Sequence, residues 1–139
     1  MQFEFEVAGG DFANAGTASS QVKKILKQLN VSVADIKINV VALYEAEVNI
    51  VAHAYSGVVT VEIETTQVRI LLKDSGPGIP DINLAMQQGY STASPEVREM
   101  GFGAGMGLPN IKRNMDILNI TSEVGVGTVV EMIAVLNVA

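Results

Sequence analysis

Phe3-Glu4-Phe5-Glu6-Val7 alternates apolar and polar residues with period two, which predicts an opening strand with one buried face. Residues 8–16 are small and polar and read as a loop. Val22, Ile25, Leu26 and Leu29 then share one helical face, predicting a helix to about Leu29 with Thr17 or Ser19 as its cap. After a turn at Asn30-Val31, Ser32 opens a second helix, and Asp35 three residues later resembles a capping box. Ile36, Val40, Leu43, Ala46 and Ile50 carry that helix to about Tyr55, where Gly57 ends it. Period two returns over 59–64 and 67–72, two strands joined at Thr65-Thr66. Segment 74–80 reads as irregular, and Asp81 caps a short helix to about Gln88. Residues 89–107 read as a long irregular stretch with one helical turn around 95–100. Leu108 starts a helix to about Leu118, with Pro109 tolerated in its first turn. Strands over 119–123 and 128–136 flank a turn at Gly125-Val126-Gly127.

Paired strands alternating with paired helices predict an α+β fold. The expected form is a two-layer sandwich, with helices on one face of a mixed, mostly antiparallel sheet. No repeat or linker interrupts the pattern, so residues 1–139 read as one domain.

Composition narrows the function. The 139 residues are 48% apolar, enough for one core. A formal net charge of -6 argues against nucleic-acid binding, which needs clustered Lys and Arg. There is no cysteine, which removes disulfides, thiolate chemistry and most zinc sites and fits a reducing compartment. The first residues lack the basic and apolar regions of a signal peptide, and no apolar run approaches the ~18 residues of a membrane span. These features predict a cytoplasmic protein without a membrane partner.

Seven of the thirteen glycines fall between Gly76 and Gly107, a concentration that points to close backbone approach to a ligand. Gly101-Phe102-Gly103-Ala104-Gly105-Met106-Gly107 runs straight into a predicted helix, whose free N–H groups attract phosphate. No Gly-Lys-Ser/Thr occurs, so this is not a P-loop, and the dinucleotide fingerprint fails on spacing. Lys112 and Arg113 either reach a phosphate or face solvent. Glu45 and Asn49 share a helix face, with His53 continuing the row. That row is either a solvated face or a site in which Asn49 offers an oxygen to Mg²⁺ and Glu45 orients a hydroxyl. Glu47 points elsewhere and reads as solvent-exposed. His53 has no second His and no Cys to build a metal site with, and reads as a hydrogen-bonded helix-end histidine. Asp74, at a strand end before Gly76-Pro77-Gly78, can accept from an exocyclic amine such as adenine's, or simply opens a turn.

These elements, in this order, resemble the GHKL ATPase superfamily. Glu45-x-x-x-Asn49 looks like its N box, and Asp74-x-Gly76-x-Gly78 and the run from Gly101 to Gly107 look like its two glycine boxes. Thr128 after Gly127 matches its strand threonine. Within the superfamily the chain is most similar to bacterial anti-sigma factor and switch-protein serine kinases. That similarity rests on Gly76-Pro77-Gly78-Ile79-Pro80-Asp81-Ile82, Gly89-Tyr90-Ser91-Thr92, Gly105-Met106-Gly107-Leu108-Pro109-Asn110-Ile111-Lys112-Arg113 and Met115-Asp116. The resemblance implies ATP and Mg²⁺ as cofactors, Glu45 as base and Asn49 as the metal ligand. It implies nucleotide contacts from Asn49, Asp74, Gly76, Gly78, Ile79, Gly101, Gly103, Ala104, Gly105, Met106, Gly107, Leu108 and Thr128, and a lid over 89–107. It implies a serine/threonine kinase acting on a STAS-domain antagonist. The alternatives are a non-catalytic module that binds a sigma factor or other regulator, and a detached histidine-kinase ATPase domain. A homodimer is among the assemblies it allows. In much of the group the first helix carries a partner-contacting arginine, whereas here the stretch reads Thr17-Ala18-Ser19-Ser20-Gln21.

Overall fold

The computed structural model describes residues 1–87 and 107–136. Period-two alternation becomes five strands: β1 (Gln2–Ala8), β2 (Ser56–Ile63), β3 (Gln67–Ser75), β4 (Ile117–Glu123) and β5 (Gly127–Val135). They form one sheet in the order β1-β2-β3-β5-β4. Among the described residues all four pairings are antiparallel, in line with the mostly antiparallel sheet expected from the sequence pattern.

Register explains why the alternation matters. Side chains two apart share a face, and the pairing lines them up across the sheet. Phe3, Val61, Ile70, Met132 and Leu118 form one inward ladder, and Phe5, Val59, Leu72, Val130 and Ile120 form the next. The central members are fully or nearly fully buried. The outward face mixes polar side chains with exposed apolar ones such as Val58, Ile117 and Val135. There Arg69 Nη2 donates to Glu131 Oε2 at 2.6 Å and Asn119 Nδ2 donates to Glu131 Oε1 at 3.0 Å.

Helices cover the inward face. α1 (Thr17–Gln28) contributes Val22 and Leu26, and α2 (Val33–His53) contributes Ile36, Leu43, Ala46 and Ile50. Following the short α3 (Ile82–Ala85), α4 (Gly107–Asn114) adds Leu108 and Ile111 and packs on α2. Ser32 caps α2, accepting from the Asp35 N–H at 3.2 Å, and Asp81 caps α3 by accepting from Leu84 N–H at 3.0 Å.

Several boundaries differ from the sequence reading. α2 stops at His53 because Ala54 turns extended and Tyr55 N–H pairs with the Ser75 carbonyl at 2.8 Å. Gly57 therefore lies inside β2 rather than ending the helix. A Cβ there would sit 2.8 Å from Ile50 Cδ1, so the Ile50 side chain would have to shift to admit one. β3 runs on through Asp74 and Ser75, which were expected to be irregular. α4 ends at Asn114, short of Leu118, because Asp116 N–H bonds the Ile133 carbonyl at 3.0 Å and starts the β4 pairing. The helical turn expected around 95–100 lies outside the described residues.

Candidate functional site

One step beyond the two apolar ladders, the same inward face turns polar. Gly57 stands opposite Asp74 in the β2–β3 pairing, and Ser122 opposite Thr128 in the β4–β5 pairing. Asp74 follows Leu72 by two residues and so faces the helix layer, not solvent. Its Oδ1 accepts from Thr128 N–H at 3.0 Å. Burial raises the Asp74 carboxyl above its ordinary range, while the Thr128 hydrogen bond acts in the opposite direction.

The loop after β3 is pinned to the β4–β5 hairpin. Ile79 N–H donates to Ser122 Oγ at 2.7 Å, Gly76 N–H to the Val126 carbonyl at 3.0 Å, and Gly125 N–H to the Pro77 carbonyl at 2.9 Å. Ser122 Oγ also lies 2.8 Å from Thr128 Oγ1 and 3.1 Å from the Gly127 carbonyl oxygen. These contacts require glycine at two points. A Cβ on Gly127 would lie 2.0 Å from the Asp74 carbonyl oxygen, and Gly78 has φ +76° with no room beside Glu123. The glycines here have a packing reason that a flexible connector would lack.

The same loop meets the end of α2. A Cβ on Gly76 would be 3.0 Å from Ala54 Cα, the residue that closes the helix. Asn49 precedes Ala54 by five residues, about 7.5 Å along a helix axis. Thus Asn49, and Glu45 one turn earlier, lie on the helix that ends against the Asp74 loop. Both are partly buried, and neither makes a side-chain hydrogen bond with another described residue. His53, in the last turn, is half-buried, and desolvation lowers its imidazole below the usual value. Among the described residues, no cluster of three or more His, Cys, Asp or Glu could hold a metal by itself. A lone amide oxygen such as Asn49's fits Mg²⁺ only when phosphates and water complete its shell.

Glu47 overturns its sequence reading. It is 1% exposed, and its carboxylate caps α1. Gly16 and Ala18 N–H donate to Oε2 at 3.1 Å each, and Ser19 N–H and Oγ donate to Oε1 at 3.1 and 2.7 Å. Neither Thr17 nor Ser19 is the cap. Gly16 occupies that position with φ 94°, and its lack of a side chain leaves the capping to Glu47. Glu45 and Glu47, two residues apart, thus lie on opposite sides of one helix.

Gly107 begins α4 and Leu108 is buried in the core cluster. Gly101, Gly103, Ala104, Gly105 and Met106 lie outside the described residues. Lys112 and Arg113 fall in the last turn of α4 and are exposed, away from its N-terminal N–H groups. Lys112 lines a recess with Ile82, Met86, Met115, Leu118 and Ile120 between α3, α4 and β4. Sequence reasoning passed over Ser122 and misread Glu47.

The fold and the polar strand ends define a class, an α+β domain whose helix end, sheet edge and glycine loop meet around a group of polar side chains. The family model described as "Histidine kinase-like ATPase domain" matches residues 10–134, and the chain belongs to that family. It is 32% identical to the serine/threonine-protein kinase RsbT of Bacillus subtilis, over 80% of each chain. It is 35% identical to the anti-sigma F factor of Pasteuria penetrans, covering 99% of this chain and 91% of that one. Among solved structures, the RsbU and RsbW domains of Rv1364c from Mycobacterium tuberculosis superpose with a TM-score of 0.63 at 18% identity. The match covers 99% of this chain and 34% of that one, so the chain spans about a third of that structure's length. The mycobacterial sensor histidine kinase MprB gives a TM-score of 0.56 at 14% identity, covering both chains in full. Both structures share the fold. No helix among the described residues is long and apolar enough to cross a membrane.

Proposed function

We propose that this domain, spanning residues 1–139, binds ATP with Mg²⁺ and phosphorylates a serine or threonine of a STAS-domain antagonist in a cytoplasmic partner-switching pathway. The observation that carries the reading is the polar end of the inward ladder. Asp74, bonded to Thr128, stands at the loop that closes against the helix bearing Glu45 and Asn49. In this reading Asp74 accepts from the exocyclic amine of adenine, with Thr128 beside it, while Gly76, Gly78 and Ile79 shape the wall. Asn49 would hold the metal ion, and the run from Gly101 to Gly107, with Leu108, would close on the phosphates. Magnesium supplies charge neutralisation on the phosphates.

Glu45 takes the proton of the attacking hydroxyl. The hydroxyl oxygen forms a bond to the γ-phosphorus as the bond from that phosphorus to the β,γ-bridging oxygen breaks, and ADP leaves. The products are ADP, a phosphoserine or phosphothreonine, and a proton passed through Glu45 to solvent. A second reading has support in the relatives named anti-sigma F factors. In it the domain uses ATP only to set its shape and sequesters a sigma factor.

Thermal melts with millimolar ATP and Mg²⁺ test the nucleotide claim, and a rise of several degrees is expected. An unchanged melt sinks it. Glu45→Ala then separates the two functions. We expect ATP affinity within about threefold of wild type, with phosphotransfer to a STAS-domain protein down at least 100-fold. Wild-type protein that binds ATP and a sigma factor but transfers no phosphate supports the second reading.

A further inference from the structure

Ser122 is a hub of three contacts, and its single proton decides what Thr128 can offer a ligand. Ile79 N–H is only a donor, so Ser122 Oγ must accept from it, at 2.7 Å. The Gly127 carbonyl is only an acceptor, so at 3.1 Å it takes the Ser122 proton. The remaining contact, to Thr128 Oγ1 at 2.8 Å, must then be donated by Thr128. A hydroxyl has one donor and two acceptor places, and this arrangement fills all three. The reverse arrangement, Ser122 donating to Thr128, would set two oxygens without a proton 3.1 Å apart at Gly127. The Thr128 proton is therefore committed to Ser122, and what remains of its hydroxyl is lone pair.

Asp74 stands beside it. Its Oδ1 is taken by Thr128 N–H at 3.0 Å, and its Oδ2 takes no hydrogen bond from a described residue. The two groups together present acceptors only. We infer that Ser122 is a specificity-determining positioning residue, which fixes the Thr128 hydroxyl as an acceptor so that the site selects a 6-amino purine over a 6-oxo purine. This rests on the nucleotide reading above. The 6-amino group brings two N–H donors to two acceptors. A 6-oxo group sets its lone pairs against those of the site, and the adjacent N1–H can pair with only one of the two acceptors, so a buried acceptor is left unpaired. Nothing in this requires Ser122 to touch the nucleotide.

The test compares ATP with ITP, which differs only in the 6-position group and the N1 proton that accompanies it. Titrations of the full chain with each, in Mg²⁺, give an ATP-to-ITP affinity ratio. Wild type is expected to favour ATP strongly. Ser122→Ala frees the Thr128 proton to turn toward the ligand, and the ratio should fall by roughly fivefold to tenfold. Ser122→Ala also removes the partner of Ile79 N–H and so weakens the loop, but that loss falls on both nucleotides and cancels in the ratio. Ser122→Thr keeps a hydroxyl and should restore the ratio, which a purely structural role would not demand. If Ser122→Ala does not fold, Thr128→Val removes the same hydroxyl with the Ser122–Ile79 bond intact and should lose the same selectivity. An unchanged ratio in Ser122→Ala, an equal loss in Ser122→Thr, or wild type that does not distinguish ATP from ITP overturns the inference. Wild type that binds neither nucleotide instead overturns the nucleotide reading on which it stands.

Discussion

Asp74 carries two opposed demands in one side chain. Burial disfavours its carboxylate, and its folded pKa lies above the unfolded one. The folded protein therefore holds a proton more readily than the unfolded chain does. The contribution to stability is full below the unfolded pKa and is lost as pH rises through the raised folded value. At neutral pH the charge is a burden on the free protein and, in the proposed site, an asset to the complex. Asp74→Asn keeps an oxygen for Thr128 N–H and removes the charge. Calorimetric melting of the nucleotide-free variant at pH 7 should match or exceed wild type. ATP affinity should fall about tenfold or more, the size of a charge-assisted hydrogen bond. A variant that melts earlier yet binds ATP normally would make Asp74 a structural residue. For the same reason, ATP affinity of wild type should begin to fall on acidification at a pH above the ordinary carboxyl range.

At the scale of elements, the junction of α1 and α2 shows what pattern reading reaches and what it does not. The apolar positions of both helices were legible, because Val22, Leu26, Leu43 and Ile50 sit at helical spacing and are buried. Glu47 was not, because its four donors lie 28 to 31 residues away in sequence and converge only in the fold. The available signal was the start of α1, which has no acidic residue in its first turn and no capping side chain at Gly16. Its orphan N–H groups needed an acceptor from elsewhere. Ser122 carried a similar signal, since Leu118, Ile120 and Ser122 share the inward face of β4 and only the last is polar. Glu47→Ala leaves these donors unpaired in a buried place and should cost about 2–4 kcal/mol. Urea unfolding should show the midpoint falling with little change in slope. Glu47→Gln should lose part of this, since its NH₂ would face an N–H donor. A loss under ~0.5 kcal/mol for the alanine variant would show that water replaces the carboxylate and that the cap is not a stabilising element.

Across the whole molecule, stability and the proposed ligand site occupy different rows of one sheet face. The two ladders through Ile70 and Leu72 hold the strands together, and the row through Asp74, Thr128 and Ser122 leaves polar groups at their ends. Period-two alternation made the ladders legible, but polarity at the strand ends gained meaning only once register brought residues 74, 122 and 128 together. This separation has a measurable consequence. Nucleotide binding should add stability by mass action, about 2.7 kcal/mol when ATP is at 100 times its dissociation constant. Glu47 anchors α1 from the side of α2 opposite Glu45, so its loss should not disturb that increment. Glu47→Ala with ATP and Mg²⁺ should therefore be less stable than liganded wild type by the same amount that separates the free proteins, within ~0.5 kcal/mol. Paired unfolding curves of both proteins, each with and without ATP, measure the four states. An increment cut by more than 1 kcal/mol in the variant would mean that α1 and the ligand site are coupled through α2. In that case the buried carboxylate would be part of how a contact on α1 reaches the ligand site, and not only the cap of a helix.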